Sequence, residues 1–142
     1  MPTSGANLLA LDVGERRVGV ALALAASRLP RPLTVLGNDS DIFEEIEKLV
    51  QTHEVGTIVV GWPRNLSGQA TAQTHQTQKF VDELASRLQL PIHTQDEAVT
   101  SRQAEAELRA RGRPYAKGDI DALAATYILE DFLHRQPTES VS

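Results

Sequence analysis

Residues 8–24 read LLALDVGERRVGVALAL, two apolar runs either side of a short polar turn. The first, Leu8 to Val13, is too short for a helix and apolar enough for a strand buried on both faces. The second, Val18 to Leu24, is built of small and β-branched residues and also suits a strand. Gly14 and Glu15 mark the turn between them, so the stretch predicts a β-hairpin with Asp12 near its tip.

Outward from the hairpin, the elements alternate. Leu33 to Leu36 is extended and follows Pro30 and Pro32, which have no N–H to give a ladder, so an edge strand is expected. Asp41 with Glu44 has the spacing of a capping box, opening a helix with Ile42, Ile46, Leu49 and Val50 on one face. Thr57 to Val60 is a β-branched run for a buried strand, and Gly61 to Gly68 (GWPRNLSG) is a loop by composition. A helix is expected from about Gln69 to Leu88 with Phe80, Val81, Leu84 and Leu88 inward, then a fifth strand from Pro91 to Gln95. Thr100 and Gln103 form a second capping box for a helix that stops at Gly112. The basic loop Arg113 to Gly118 leads into a last helix burying Ile120, Leu123, Ala124, Tyr127 and Ile128. The order βββ-α-β-α-β-α-α implies an α/β fold with a mixed sheet.

Composition narrows the function classes. The 142 residues are 41% hydrophobic and 23% charged, the balance of one globular domain. The absence of cysteine excludes disulfide scaffolds, zinc ribbons, iron–sulfur centres and thiol nucleophiles. No apolar run reaches the roughly 18 residues of a membrane span, and no secretion signal opens the chain, so a cytoplasmic protein with no membrane partner is expected. The net charge of −5 is unevenly spread. Residues 39–54 carry six acids and one base, whereas residues 102–117 carry Arg102, Arg109, Arg111, Arg113 and Lys117 against Glu105 and Glu107. A basic surface of that kind can contact phosphate, although two solvated helix faces would give the same pattern.

Three carboxylates stand where α/β sheets place their sites: Asp12 and Glu97 at strand carboxyl ends, and Asp121 in the first turn of the last helix. Asp12 and Glu97 would meet if their strands are neighbours. Clustered buried anions repel unless a cation lies among them. All-oxygen donors favour a hard ion, Mg²⁺ or Mn²⁺, which can activate water for phosphodiester hydrolysis. Each acid has an ordinary alternative: Asp12 as a turn residue, Glu97 as a solvated loop acid, Asp121 and Asp119 as helix-cap acids. Asp12-x-Gly14 in a hairpin also occurs in actin-like ATPases and sugar kinases, but those need two domains and more than twice this length. There is no Walker loop and no G-x-G-x-x-G, and the four histidines are far apart.

Taken together, LALDVGERRVGVA (residues 9–21), VVGWPRNLSG (59–68), Asp96-Glu97 followed by Thr100, and DALAA (121–125) resemble the YqgF/RuvX family of Holliday-junction-resolvase-like proteins. That family is also described as nucleases maturing the 5′ end of pre-16S ribosomal RNA. The resemblance covers about residues 7–134, leaving 135–142 as a flexible tail of a single domain spanning 1–142. It implies a ribonuclease-H-like fold, a five-stranded mixed sheet with the second strand antiparallel to the rest, flanked by helices. It also implies that Asp12, Glu97 and Asp121 form the acidic triad holding a divalent ion, Mg²⁺ or Mn²⁺. Gly61, Pro63, Asn65 and Gly68 match the family's loop beside the site, where Arg64 and Asn65 could approach a phosphate. Asp119 lies roughly 200° around a helix from Asp121, so both cannot face one ion. Ala98 stands where the family usually has Arg, and Arg102 is expected to reach the same place.

The function expected is metal-dependent phosphodiester hydrolysis in structured nucleic acid, precursor ribosomal RNA first and branched DNA second. The phosphate-contacting set is Arg16, Arg64, Asn65, Arg102, Arg109, Arg111, Arg113 and Lys117. Resolution of a DNA junction would require a homodimer presenting two sites. A non-catalytic ribosome-assembly module that keeps the fold is the alternative from another class.

Overall fold

The computed structural model describes residues 6–63, 72–97 and 100–135; at 97 and 100–102 the description is of the backbone alone. The elements run β1 (Asn7–Val13), β2 (Arg17–Ala23), β3 (Arg31–Gly37), α1 (Ile42–Thr52), β4 (Val55–Pro63), α2 (Ala72–Arg87), β5 (Ile92–Glu97), α3 (Thr100–Ala110) and α4 (Lys117–Arg135). The five strands form one sheet in the order β3-β2-β1-β4-β5. β2 is antiparallel to both β1 and β3, and β4 runs parallel to both β1 and β5. This is the ribonuclease-H-like arrangement, and the hairpin and the edge position of β3 are as the sequence predicts.

Period-2 alternation divides the sheet's two faces. Leu9, Leu11 and Val13 of β1, with Val18, Val20 and Leu22 of β2, join Ile58 and Val60 beneath Ile42 and Ile46 of α1 and Phe80 and Leu84 of α2. Burying one such aliphatic side chain stabilises the fold by about 1.5–3 kcal/mol. The other face is lined by smaller residues: Ala10, Ala21, Ala23 and Val59 meet Ala125, Ile128, Leu129 and Phe132 of α4. Alanines on both sides let α4 lie close to the strands. A second stripe of α4, Leu123 and Ala124, packs on Ala104 and Leu108 of α3. Buried on two sides, α4 has no broad polar face, and none of the described helices is long and apolar enough to cross a membrane.

Several boundaries differ from the sequence expectation. β5 extends to Glu97, so Asp96 and Glu97 are strand residues. α4 begins at Lys117, so Lys117 and Gly118 are helical and Asp121 opens the second turn. Asp41 makes no side-chain cap on α1. Instead Asp39 Oδ1 accepts the Asp41 N–H at 3.0 Å, and the Asp39 carbonyl accepts the Ile42 N–H at 3.1 Å. An Asx turn thus takes over the expected cap. The stop at Gly112 holds: its φ of +72° is the left-handed conformation glycine adopts without strain.

Candidate active site

The site grows from one row of residues running across the strands. Asp12 of β1 is the register partner of Gly19 of β2. On the other side, Leu11 pairs with Val60, so the next step sets Asp12 beside Gly61 of β4, and Gly61 pairs with Gln95 of β5. By alternation Gly19, Asp12, Gly61 and Gln95 all belong to the face covered by α4. Asp12 and position 97 are therefore on second-neighbour strands, so the condition under which the sequence had them meet, neighbouring strands, does not hold: β4 intervenes, and 97 stands two residues further along β5 than Gln95. Their backbones are separated by about two strand spacings of 4.8 Å across the sheet and two residues along it. Gly61 contributes no side chain to the row between them. Position 97 shares the parity of His93 and Gln95, and His93 stacks against Phe132 of α4 at 5.3 Å.

Gly19 brings the third acid in. A Cβ there would overlap the backbone carbonyl of Asp121 and lie 2.8 Å from the Ala122 nitrogen. Only a residue without a side chain lets α4 descend onto β2 at this point. Asp121 is thereby seated over the strand that pairs with Asp12. Its carboxylate accepts the Arg17 Nε–H at Oδ2, 2.5 Å away. The hairpin tip is clamped as well: the Gly14 N–H donates to the Arg17 carbonyl at 2.8 Å, and Asn38 Nδ2 donates to the Gly14 carbonyl at 2.7 Å. Asp119 is turned to other work, its Oδ2 accepting the Ala116 N–H at 2.9 Å as a helix cap. Asp119 and Asp121 thus have different partners, the one the Ala116 N–H and the other Arg17.

The cations expected to meet phosphate fall into distinct groups. Arg16 is exposed at the hairpin tip. Arg109 pairs with Glu105 at 3.2 Å and Arg111 with Glu107 at 2.5 Å, both within α3 or at its end, so much of their charge is locally balanced. Arg113 and Lys117 have no ion pair among the described residues. Glu107 also accepts a short hydrogen bond from the Tyr127 hydroxyl. That bond, with Arg111 beside it, holds the Glu107 carboxyl below its usual range, while burial and the same bond push the Tyr127 hydroxyl up to about 12. Arg64 and Asn65, and the side chains of Glu97 and Arg102, lie outside the described residues.

Two residues of the site were not expected from the sequence. Arg17 meets Asp121 across 104 positions of chain, a separation no local pattern reports. Gln95 is 95% buried, being only 5% exposed, and its amide nitrogen has no hydrogen-bond partner among the described residues. The one available signal was an amide at an inward-facing strand position.

Comparison with known proteins agrees with the fold. The family model described as RuvX, Holliday junction resolvase, matches residues 6–135. A Chloroflexus aurantiacus protein provisionally named a pre-16S rRNA nuclease is 42% identical over 130 residues, covering 89% of this chain and 85% of the relative. A Crocosphaera subtropica protein of the same name is 37% identical over 135 residues, covering 92% and 94%. In fold the chain is similar to Thermus thermophilus RuvC in complex with a Holliday junction, with a TM-score of 0.55 at 16% identity, covering 92% of this chain and 96% of that one. The fowlpox virus Holliday junction resolvase gives 0.56 at 10% identity, covering 92% and 100%. With a ribonuclease-H-like sheet, and a match running from the first strand to the end of the last helix, the chain belongs to the RuvX family of Holliday junction resolvases.

Proposed function

We propose that this protein is a metal-dependent nuclease that hydrolyses phosphodiester bonds in structured RNA, with the 5′ end of pre-16S rRNA as its substrate. The observation that carries the reading is the seating of Asp121 over Gly19, the register partner of Asp12, which brings two acids from opposite ends of the chain to one sheet face. The name of the relatives favours RNA over junction DNA.

The residues fit a hard divalent ion. Asp12 and Asp121 offer only oxygen, and Gly61 contributes no side chain to the row between Asp12 and position 97. Among the described side chains no group of three potential ligands comes together, so the third donor in this reading is Glu97. A Mg²⁺ or Mn²⁺ ion bound there would supply an activated water and neutralise charge on the leaving oxygen. Asp12 and Asp121 would hold the ion, and Glu97 would orient the water or complete the ligand set. Arg16, Arg113 and Lys117 engage the backbone phosphates, with Arg64, Asn65 and Arg102 as further contacts. Binding of this kind weakens steeply as salt rises.

The test is cleavage of a labelled pre-16S fragment and of a four-way DNA junction, each with Mg²⁺, Mn²⁺ or EDTA, by the native chain and by Asp12→Asn. Metal-dependent cutting of the RNA, lost in the variant, is the expected result. Cutting of the junction alone, by a dimer, would favour the resolvase alternative. Folded protein that binds RNA and cuts neither would leave the assembly-module reading.

A further inference from the structure

Between the basic α3–α4 connection and edge strand β3 lies a hollow of about 300 Å³. Leu108, Pro32 and Pro114 give it apolar walls, Tyr115 adds aromatic surface, and Arg111 and Arg113 supply guanidinium groups. We propose that this hollow receives one unpaired nucleotide of the substrate strand, its base against Tyr115 and its phosphate on Arg113. The inference rests on the nuclease reading above and adds to it a preference for a single-stranded segment a few nucleotides from the cleavage site.

Size and chemistry bear on the occupant. The volume stands at the low end for small-molecule sites, enough for one base with its sugar and too small for a duplex. A mixed lining with a tyrosine and two guanidinium groups suits a nucleotide, since unstacked bases lie against tyrosine and arginine planes in sequence-tolerant binding. Tyr115 is already packed against the Leu108–Leu123 cluster, so its placement costs little ordering when a base arrives. Arg111 is tethered by Glu107 at 2.5 Å, and Glu107 by Tyr127, which holds that guanidinium at the rim. Arg113 has no ion pair among the described residues, leaving its charge for an anion. A guanidinium presented this way matches a phosphate's paired oxygens.

Asp119, Ala122 and Leu123 line the hollow from one side of α4's first turns, whereas Asp121 lies on the opposite side of the helix, over Gly19. The hollow and the acids are thus separated by the thickness of α4, about 10 Å, and the nucleotide it receives is a few positions along the strand from the scissile phosphate. Asp119, with one oxygen committed to the Ala116 N–H, keeps the other for a donor such as a base amino group.

The experiment compares a blunt RNA hairpin with the same hairpin carrying a short single-stranded extension, by fluorescence anisotropy at fixed salt. Catalysis is blocked with EDTA for binding and restored with Mn²⁺ for cleavage. The extended hairpin should bind roughly tenfold tighter. Tyr115→Phe should keep that preference, while Tyr115→Leu and Arg113→Ala should each bring the two hairpins within about twofold of one another. A 2-aminopurine in the extension should be quenched by the native chain and not by Tyr115→Leu, with thermal midpoints confirming that the variants fold. Equal binding of two hairpins that are both cut overturns the hollow and leaves the nuclease standing. A preference that survives both Tyr115→Leu and Arg113→Ala overturns it too, because the selectivity then lies elsewhere. If neither hairpin is bound or cut, the nuclease reading itself fails and the hollow falls with it.

Discussion

Arg17 donates its Nε–H to Asp121 Oδ2 at 2.5 Å, joining the second strand to the last helix. The Asp121 side chain is 21% exposed and that of Arg17 40%. A pair this wet adds little net stability, about 0–1 kcal/mol, because solvent screens it. Its consequence is chemical: a guanidinium occupies the oxygen that the proposed ion needs.

Arg17→Ala should therefore bind Mn²⁺ severalfold tighter than the native chain, since a competing cation is gone, with stability lowered by no more than about 1 kcal/mol. Calorimetric titration of the metal-free protein measures the first and urea denaturation the second. Unchanged Mn²⁺ affinity would mean that the pair does not compete for the site.

Gly19→Ala tests the descent of α4 onto β2. The added Cβ meets backbone, the Asp121 carbonyl, so relief requires the helix to move and not a side chain. Overpacking of this kind costs about 1–3 kcal/mol. Cleavage should fall much further than stability does, because the displaced turn carries Asp121 away from Asp12. A variant that loses stability and keeps full activity would show that Asp121 need not sit so close.

The architecture was largely legible because it rests on local signals. The short apolar run at 8–13, the Gly14 turn and the two prolines before β3 each fix one element by burial, sterics or hydrogen-bond accounting. Asp12 and Asp121 were legible through motif resemblance, and their candidacy needed no contacts. Boundaries were harder. Asp96 and Glu97 are polar, so nothing in their composition carried β5 past Gln95; the ladder to Trp62 and Pro63 does that. The apparent capping box at Asp41 failed because Asp39, two residues earlier, makes the competing turn. Strand order was not readable either: that β4 separates β1 from β5 follows from packing both crossovers, and it sets the spacing of the acids.

The Glu107–Tyr127 bond predicts an alkaline loss of stability. Tyr127's folded value is raised to about 12 from an unfolded value near 10, so the folded state holds this proton more tightly. The contribution is fully present below pH 10 and disappears as pH rises toward 12. Glu107, held low, gives the mirror case: its contribution is present above about pH 4.3 and fades as pH falls through the lowered value. Tyr127 is half-buried, and on the order of 1 kcal/mol is expected after allowing for solvent screening. Tyr127→Phe should flatten the stability profile between pH 10 and 12, measured by urea denaturation at each pH. A native profile already flat there would remove the bond from the account of α3–α4 packing.

Gln95 separates stability from function. Its buried amide nitrogen lacks a partner among the described residues, and leaving such a donor dry costs a protein about 1–3 kcal/mol. Gln95→Leu keeps the volume and removes the donor, so it should raise stability, by roughly 1 kcal/mol. Gln95→Glu should do the reverse, placing a second negative group in the row that already holds Asp12. The amide is one glycine away from Asp12 on the same face, where it would serve as a hydrogen-bond donor to the site's carboxylates. Cleavage by Gln95→Leu should accordingly drop severalfold while its unfolding midpoint rises. If both rise, or cleavage is untouched, the amide serves packing alone and the row across the sheet ends at Gly61.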